Sequence, residues 1–302
     1  MPDIYPPHPP HPPTLLKFDE LCSLARAIDA PCVAGWGFTD TTNLRSVGVA
    51  AKRAQLLAFS EQVLDGRPAV WVGASLGACI ALDCYRTRPE AVASIVTLAP
   101  GFFTPPPPVV PGFVGKLLLS QVLAAPNVRE TIAKQAYFDK DAQTDDAIRC
   151  GNLHLNRAAW EADSLEWLLS GAYGDLSSEV ALLDALPTLT LWGREDEVIP
   201  PAGLGSWPAA RLARALPTGT FRWVERSGHT PHLEQPAVCA AAISAFVRNQ
   251  PVAGDADVSA VTAAADRFDT AREVVNTILR SGAEQLSVLR KAVVARLQDG
   301  GK

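Results

Sequence analysis

Three short segments of the chain carry side chains suited to nucleophilic chemistry. Val70-Trp71-Val72-Gly73-Ala74-Ser75-Leu76-Gly77-Ala78-Cys79 is an apolar run that breaks at a serine flanked by glycines. A G-x-S-x-G segment between a strand and a helix forms a nucleophile elbow, a strained turn that pushes the serine hydroxyl out at the strand end. Small flanking residues let the helix pack close to the strand. A serine hydroxyl is a poor nucleophile at neutral pH. It needs a general base within hydrogen-bond reach, and the base needs an acidic partner that fixes its tautomer. Leu191-Trp192-Gly193-Arg194-Glu195-Asp196-Glu197-Val198-Ile199-Pro200 ends a strand and opens an acidic loop, and Phe221-Arg222-Trp223-Val224-Glu225-Arg226-Ser227-Gly228-His229 ends the next strand on Gly-His. Asp196 is the candidate acid, with Glu195 and Glu197 as neighbouring rivals. His229 is the candidate base, and His232 is expected to make a helix-start hydrogen bond instead. The pentapeptide alone is a weak signal; the order serine, acid, histidine makes it specific.

These residues meet only if their strands end on one edge, as at the carboxyl edge of a parallel sheet. The sequence alternates accordingly. Strands are predicted at 14–17, 31–34, 68–72, 94–98, 188–192 and 221–224, and helices at about 19–28, at about 47–64 and directly after Ser75. The predicted class is α/β, a doubly wound, mostly parallel sheet. Residues 101–183 open on Phe103-Thr104-Pro105-Pro106-Pro107-Pro108 and then read as helices only. They form a helical insert that divides the sheet domain into 14–100 and 184–250. Residues 1–13 are a Pro/His-rich arm with no packed structure expected. From 251 to 302 an apolar stripe through Phe268, Val275, Leu279, Leu286 and Val293 predicts an amphipathic helix or helix pair. That stripe would pack on the body or on a twin chain, the second giving a homo-oligomer through the C-terminal helices; a regulatory or membrane role is the alternative.

Bulk properties narrow the function. The chain has 302 residues, 48% hydrophobic and 20% charged, with a net charge of −5. That balance offers no basic footprint for nucleic acid and no polybasic patch for an anionic membrane surface. The longest apolar run is too short and too glycine-broken to span a bilayer. No signal peptide is expected, so the predicted location is intracellular and soluble, in the cytoplasm or a plastid. The six cysteines (22, 32, 79, 84, 150 and 239) make no C-x-x-C pair and read as reduced thiols. His8 and His11 on the arm are not expected to make a metal site. The chemistry inferred needs neither a metal nor a cofactor.

Gly73–Gly77, Gly193-x-x-Asp196-x-Val198-x-Pro200 and Gly228-His229-x-Pro231-His232-Leu233-Glu234-Gln235-Pro236 resemble the three signature segments of the α/β-hydrolase fold family. The resemblance covers most of residues 14–250. Gly35-Trp36-Gly37-Phe38-Thr39-Asp40 resembles the loop after the family's fourth strand, and the details look closest to a branch from plant and algal plastids. Carried over by position, the resemblance implies Ser75 as nucleophile, Asp196 as orienting acid and His229 as base. It also implies the Leu76 N–H as an oxyanion donor and the insert as a cap over the pocket. The family's third strand ends in His-Gly, and the loop after it supplies the second oxyanion donor. This chain has no His-Gly before the elbow. If 14–17 is a shortened third strand, Phe18 offers that donor and the first two strands are absent.

Two functions compete. One is a serine hydrolase acting on a small, partly apolar ester or similar acyl compound. The other is a binding protein that keeps the pocket but has lost turnover, since removing one oxyanion donor costs about 10²–10³ in rate. Changed chemistry on the same fold is the further alternative, since the family also contains lyases, peroxidases and epoxide or haloalkane hydrolases; the last two use an aspartate nucleophile, which Ser75 disfavours. Trp36, Trp160 and Trp167 either line the pocket or pack, and His154 is expected to be a polar residue of the insert.

Overall fold

Among the described residues, four short runs rich in β-branched and apolar residues form the sheet: β1 Ala69–Ala74, β2 Val92–Leu98, β3 Thr188–Gly193 and β4 Thr220–Val224. The computed structural model describes residues 31, 33, 36, 37, 39–105, 112–119, 124–170, 172–201 and 208–254. The arm at 1–13, the strand expected at 14–17, the helix expected at 19–28, Phe18 and the tail from 255 lie outside the described residues. So do Cys22 and Cys32. Among the described residues the strands pair in the order β1-β2-β3-β4, all parallel. Pro31 and Val33, the described part of the 31–34 candidate, fall in irregular backbone. Pro31 has no N–H to give to a ladder, and the Val33 carbonyl accepts a turn hydrogen bond from Trp36 at 2.8 Å.

The helices follow from the alternation. They are α1 Val49–Val63, α2 Leu76–Thr87, α3 Gly112–Leu118, α4 Pro126–Gln135, α5 Asp145–Asn152, α6 Trp160–Leu169, α7 Pro208–Ala215, α8 Pro231–Glu234 and α9 Pro236–Val247. Every described element between β2 and β3 is helical.

Successive residues of a strand point to opposite faces, and the two faces pack on different helices. Ile95 joins Leu82 of α2, Leu212 of α7 and Trp192 in one cluster. Its neighbour Val96 joins Leu189, Leu191 and Val224 with Cys239 and Ala242 of α9 in the other. Such double coverage is why β2 and β3 read as near-continuous apolar runs. Trp192, Ile95, Leu189 and Leu191 are fully buried. β1 pairs only with β2 among the described residues, and Val72 is 54% exposed.

Polar anchors hold the helices. Asp83 on α2 is buried, and its carboxylate pairs with Arg53 of α1 at 3.0 Å and Arg86 at 2.8 Å. The insert is tied to the segment before α1: Thr41 donates to Asp163 at 2.8 Å, Arg157 donates to both residues at 2.9 Å, and Glu166 accepts from Ser46 and from the Val47 N–H. Lys52 is buried between the two parts. It donates to the Val47 carbonyl at 2.7 Å, and its ammonium lies 4.3 and 4.5 Å from the ring centres of Trp36 and Trp167. Those two tryptophans therefore enclose a cation. Burial holds Lys52 down to about 8, against the pull of Asp163 and Glu166. Cys79, Cys84 and Cys239 are free and buried; burial pushes the thiols of Cys79 and Cys84 up to about 12 and that of Cys239 to about 11.

Close packing of α2 on β1 depends on one glycine. A β-carbon on Gly73 would lie 2.5 Å from the Ala78 nitrogen and from the Gly77 carbonyl, all backbone atoms that cannot rotate away. At Gly77 nothing among the described residues comes within 4 Å, so only the first flanking glycine is required for packing. Gly73→Ala is expected to cost about 3 kcal/mol, whereas Gly77→Ala in a helix should raise stability by up to about 1 kcal/mol; urea denaturation of the two variants checks the contrast.

Lys52 gives a pH signature. Its folded pKa of about 8 lies below the unfolded value of about 10.4. The unfolded chain therefore binds more protons between those limits, and this residue's contribution to stability rises with pH there. Lys52→Met removes that contribution. The stability of wild type relative to the variant should increase from pH 8 to 10, measured by denaturant titration at each pH.

Candidate active site

The strand register brings three loops to one edge. Ala74 pairs with Leu98, Leu98 with Leu191, and Gly193 with Val224. Three hydrogen bonds continue the ladder past the strands: Ser75 N–H to Leu98, Ala99 N–H to Leu191 and Arg194 N–H to Val224, at 2.8–3.0 Å. Ser75, Asp196 and His229 all lie just beyond this carboxyl edge, where ligands of parallel sheets gather.

Ser75 sits between β1 and α2 with φ 50° and ψ −115°. This left-handed conformation is costly for a side-chain-bearing residue. Its carbonyl accepts from Ala78 at 3.1 Å and from Gly101 at 3.2 Å, which clamps the turn. Leu76 opens α2, and first-turn N–H groups have no acceptor within their own helix.

His229 reaches both partners. Its Nε2 lies 2.8 Å from Ser75 Oγ and its Nδ1 lies 2.9 Å from Asp196 Oδ2. The imidazole is 11% exposed, and the Asp196 side chain is fully buried. A buried carboxylate must have its lone pairs satisfied. Asp196 Oδ1 accepts the N–H groups of Val198 and Ile199, each at 2.9 Å, and Oδ2 accepts Trp192 Nε1–H at 3.2 Å besides facing the imidazole. Trp192 and the two loop amides are the supporting donors that sequence reasoning missed. The only available signal was the position of Trp192 near the end of β3.

The rival acids are placed elsewhere. Glu195 accepts the Ser227 N–H at 2.9 Å, which joins the acid loop to the histidine loop, and Glu197 pairs with Lys140 of the insert at 2.8 Å. The loops also touch through glycine: a β-carbon on Gly193 would lie 1.9 Å from the Gly228 carbonyl oxygen. The insert contributes Ala136, whose carbonyl accepts the His229 N–H at 2.7 Å. His232 does not make the expected helix-start bond: its Nδ1 is buried with no hydrogen-bond partner among the described residues. Burial and the neighbouring His229 depress its pKa. His154 lies in the insert, 6.5 Å from Trp160 between ring centres, and is also depressed by burial. Among the described residues no cluster of three His, Cys, Asp or Glu could hold a metal ion, and no helix is long and apolar enough to cross a membrane.

Known proteins match this architecture. Residues 10–242 fit the family model described as the alpha/beta hydrolase family. The chain is 29% identical over 237 residues to the alpha/beta hydrolase domain-containing protein VTE7 of Arabidopsis thaliana, covering 76% of this chain and 67% of that one. It is 30% identical over 217 residues to the pimeloyl-acyl-carrier-protein methyl ester esterase of Aromatoleum aromaticum, covering 67% of this chain and 83% of the esterase. In fold it is similar to the meta-cleavage product hydrolase of Pseudomonas fluorescens IP01, with a TM-score of 0.57 at 18% identity over 72% of this chain and 78% of that one. With one family model spanning the elbow, the insert and the histidine loop, the chain belongs to the alpha/beta hydrolase family and is a hydrolase.

Proposed function

We propose that the protein is a serine hydrolase that cleaves an ester-type bond in a small, partly apolar acyl compound, with Ser75, His229 and Asp196 as its triad. The continuous chain from Ser75 Oγ through both imidazole nitrogens to Asp196 carries this reading. The esterase named among its relatives supports the bond type.

The mechanism follows from the atoms in contact. Asp196, an acceptor, holds the proton on His229 Nδ1 and leaves Nε2 free to accept. Ser75 Oγ attacks the acyl carbon while its proton passes to Nε2. The developing oxyanion is met by the Leu76 N–H, and the second donor is assigned to Phe18 by its place in the sequence. Collapse of the tetrahedral intermediate breaks the ester C–O bond, and Nε2 returns the proton to the departing alkoxide. Water then repeats the sequence on the acyl-serine and releases the acid. The insert acts as the cap over the pocket, seated on the His229 loop through Ala136.

A fluorophosphonate probe tests the nucleophile. The folded protein should be labelled at Ser75, as located by mass spectrometry, and Ser75→Ala should abolish both labelling and turnover of short p-nitrophenyl esters. Asp196→Asn presents an amide to Nδ1 and favours the wrong tautomer, so kcat should fall about 10⁴-fold. A folded wild-type protein that leaves Ser75 unlabelled would instead match a binding protein with an incomplete oxyanion hole.

A further inference from the structure

Behind His229 lies a carboxylate that the triad does not use. Glu234 ends α8, and its two oxygens serve different parts of the chain. Oε2 accepts the Gly228 N–H at 2.6 Å and the Ser227 hydroxyl at 3.4 Å. Oε1 accepts the N–H groups of Phe138 at 2.7 Å and Asp139 at 3.3 Å, both in the insert. Charge-assisted hydrogen bonds of this kind are among the stronger polar contacts.

Three consecutive amides each have a different acceptor: Ser227 gives its N–H to Glu195, Gly228 to Glu234 and His229 to the Ala136 carbonyl. The first acceptor belongs to the acid loop. The other two bind the loop to the insert, one directly and one through the Glu234 carboxylate. Contact is this close because Gly228 has no side chain; a β-carbon there would lie 2.6 Å from the Ala136 oxygen and 2.9 Å from the Phe138 nitrogen. The turn after α4 and the His229 loop are thus two backbones fastened face to face.

We propose that Glu234 is a positioning residue for His229. Its carboxylate registers the inserted helices on the histidine loop, so that the imidazole's place relative to Ser75 Oγ is set jointly by sheet and insert. A substrate that presses on the insert acts on the imidazole through this link. The proposal rests on His229 being the base for Ser75.

A glutamine at 234 keeps one oxygen and turns an NH₂ toward one of the two sets of donors, so one side of the link must open. Glu234→Gln should label at Ser75 with fluorophosphonate about 10- to 100-fold more slowly than wild type, the scale of a small misplacement of a reacting group. The end point should still be one label per chain. Hydrogen–deuterium exchange should accelerate at both 136–139 and 227–229. Glu234→Asp keeps the charge with a shorter reach and should recover part of the rate. Glu197→Gln, which removes only the ion pair with Lys140, should label at the wild-type rate.

Labelling of folded Glu234→Gln at the wild-type rate overturns the proposal, as does a Glu234→Asp variant no faster than Glu234→Gln. A slower rate explained by a reduced end point also overturns it, because the variant would then merely contain fewer intact sites. If wild type itself does not label, the hydrolase reading fails, and unchanged exchange in both segments would separately remove the link assigned to Glu234.

Discussion

Backbone meeting backbone without intervening side chains sets the geometry of this protein's candidate site. Gly193 at the end of β3 lies against Gly228, and Gly228 lies against Ala136 and Phe138 of the insert. Each contact leaves no room for a methyl group. The strand end, the histidine loop and the insert are therefore stacked at their closest approach, and protein interiors at this density do not deform continuously. The short distances around His229 follow from that stacking rather than from the reach of long side chains.

Asp196 converts the stacking into an electrostatic arrangement. Its carboxylate has no solvent contact, yet every direction of approach is met by a donor: two amides of its own turn, the indole of Trp192 and the imidazole of His229. A buried charge is tolerable when paired and hydrogen-bonded. The amides and the indole are fixed by the turn and by a fully buried ring, and they fix the carboxylate that faces the imidazole. In the proposed triad the acid orients the base, and the fold orients the acid.

How much of this can be read from sequence depends on whether the information is local. β2 and β3 are buried on both faces, so the apolar runs at 94–98 and 188–192 mark them, although β2 begins at Val92 and β3 continues to Gly193. Ser75, Asp196 and His229 can be named because each follows a strand. Choosing Asp196 over Glu195 and Glu197 cannot be settled that way, since three acids in a row share one hydropathy; that Asp196 alone of the three meets the imidazole is a tertiary fact. The role of Trp36 and Trp167 around Lys52 is equally hidden, because Trp36 precedes α1 while Trp167 lies on α6, far along the chain within the insert. Contacts of Glu234 with residues 138 and 139 span nearly a hundred positions and leave no periodic trace.

The strained serine has one more consequence. A left-handed, side-chain-bearing residue persists only where its surroundings over-determine it. At Ser75 the surroundings are the hydrogen bond to Leu98 on β2, the amides of Ala78 and Gly101 on its carbonyl, and the close contact of α2 with Gly73. Apart from the local bond from Ala78, none of these exists until β1, β2, α2 and the loop after β2 have docked. A collapsed chain with its helices and strands formed but its interior loose would hold all three residues of the triad and aim none of them. If Ser75 is the nucleophile proposed above, its hydroxyl is an internal gauge of completed packing, and its reactivity goes silent before the secondary structure does.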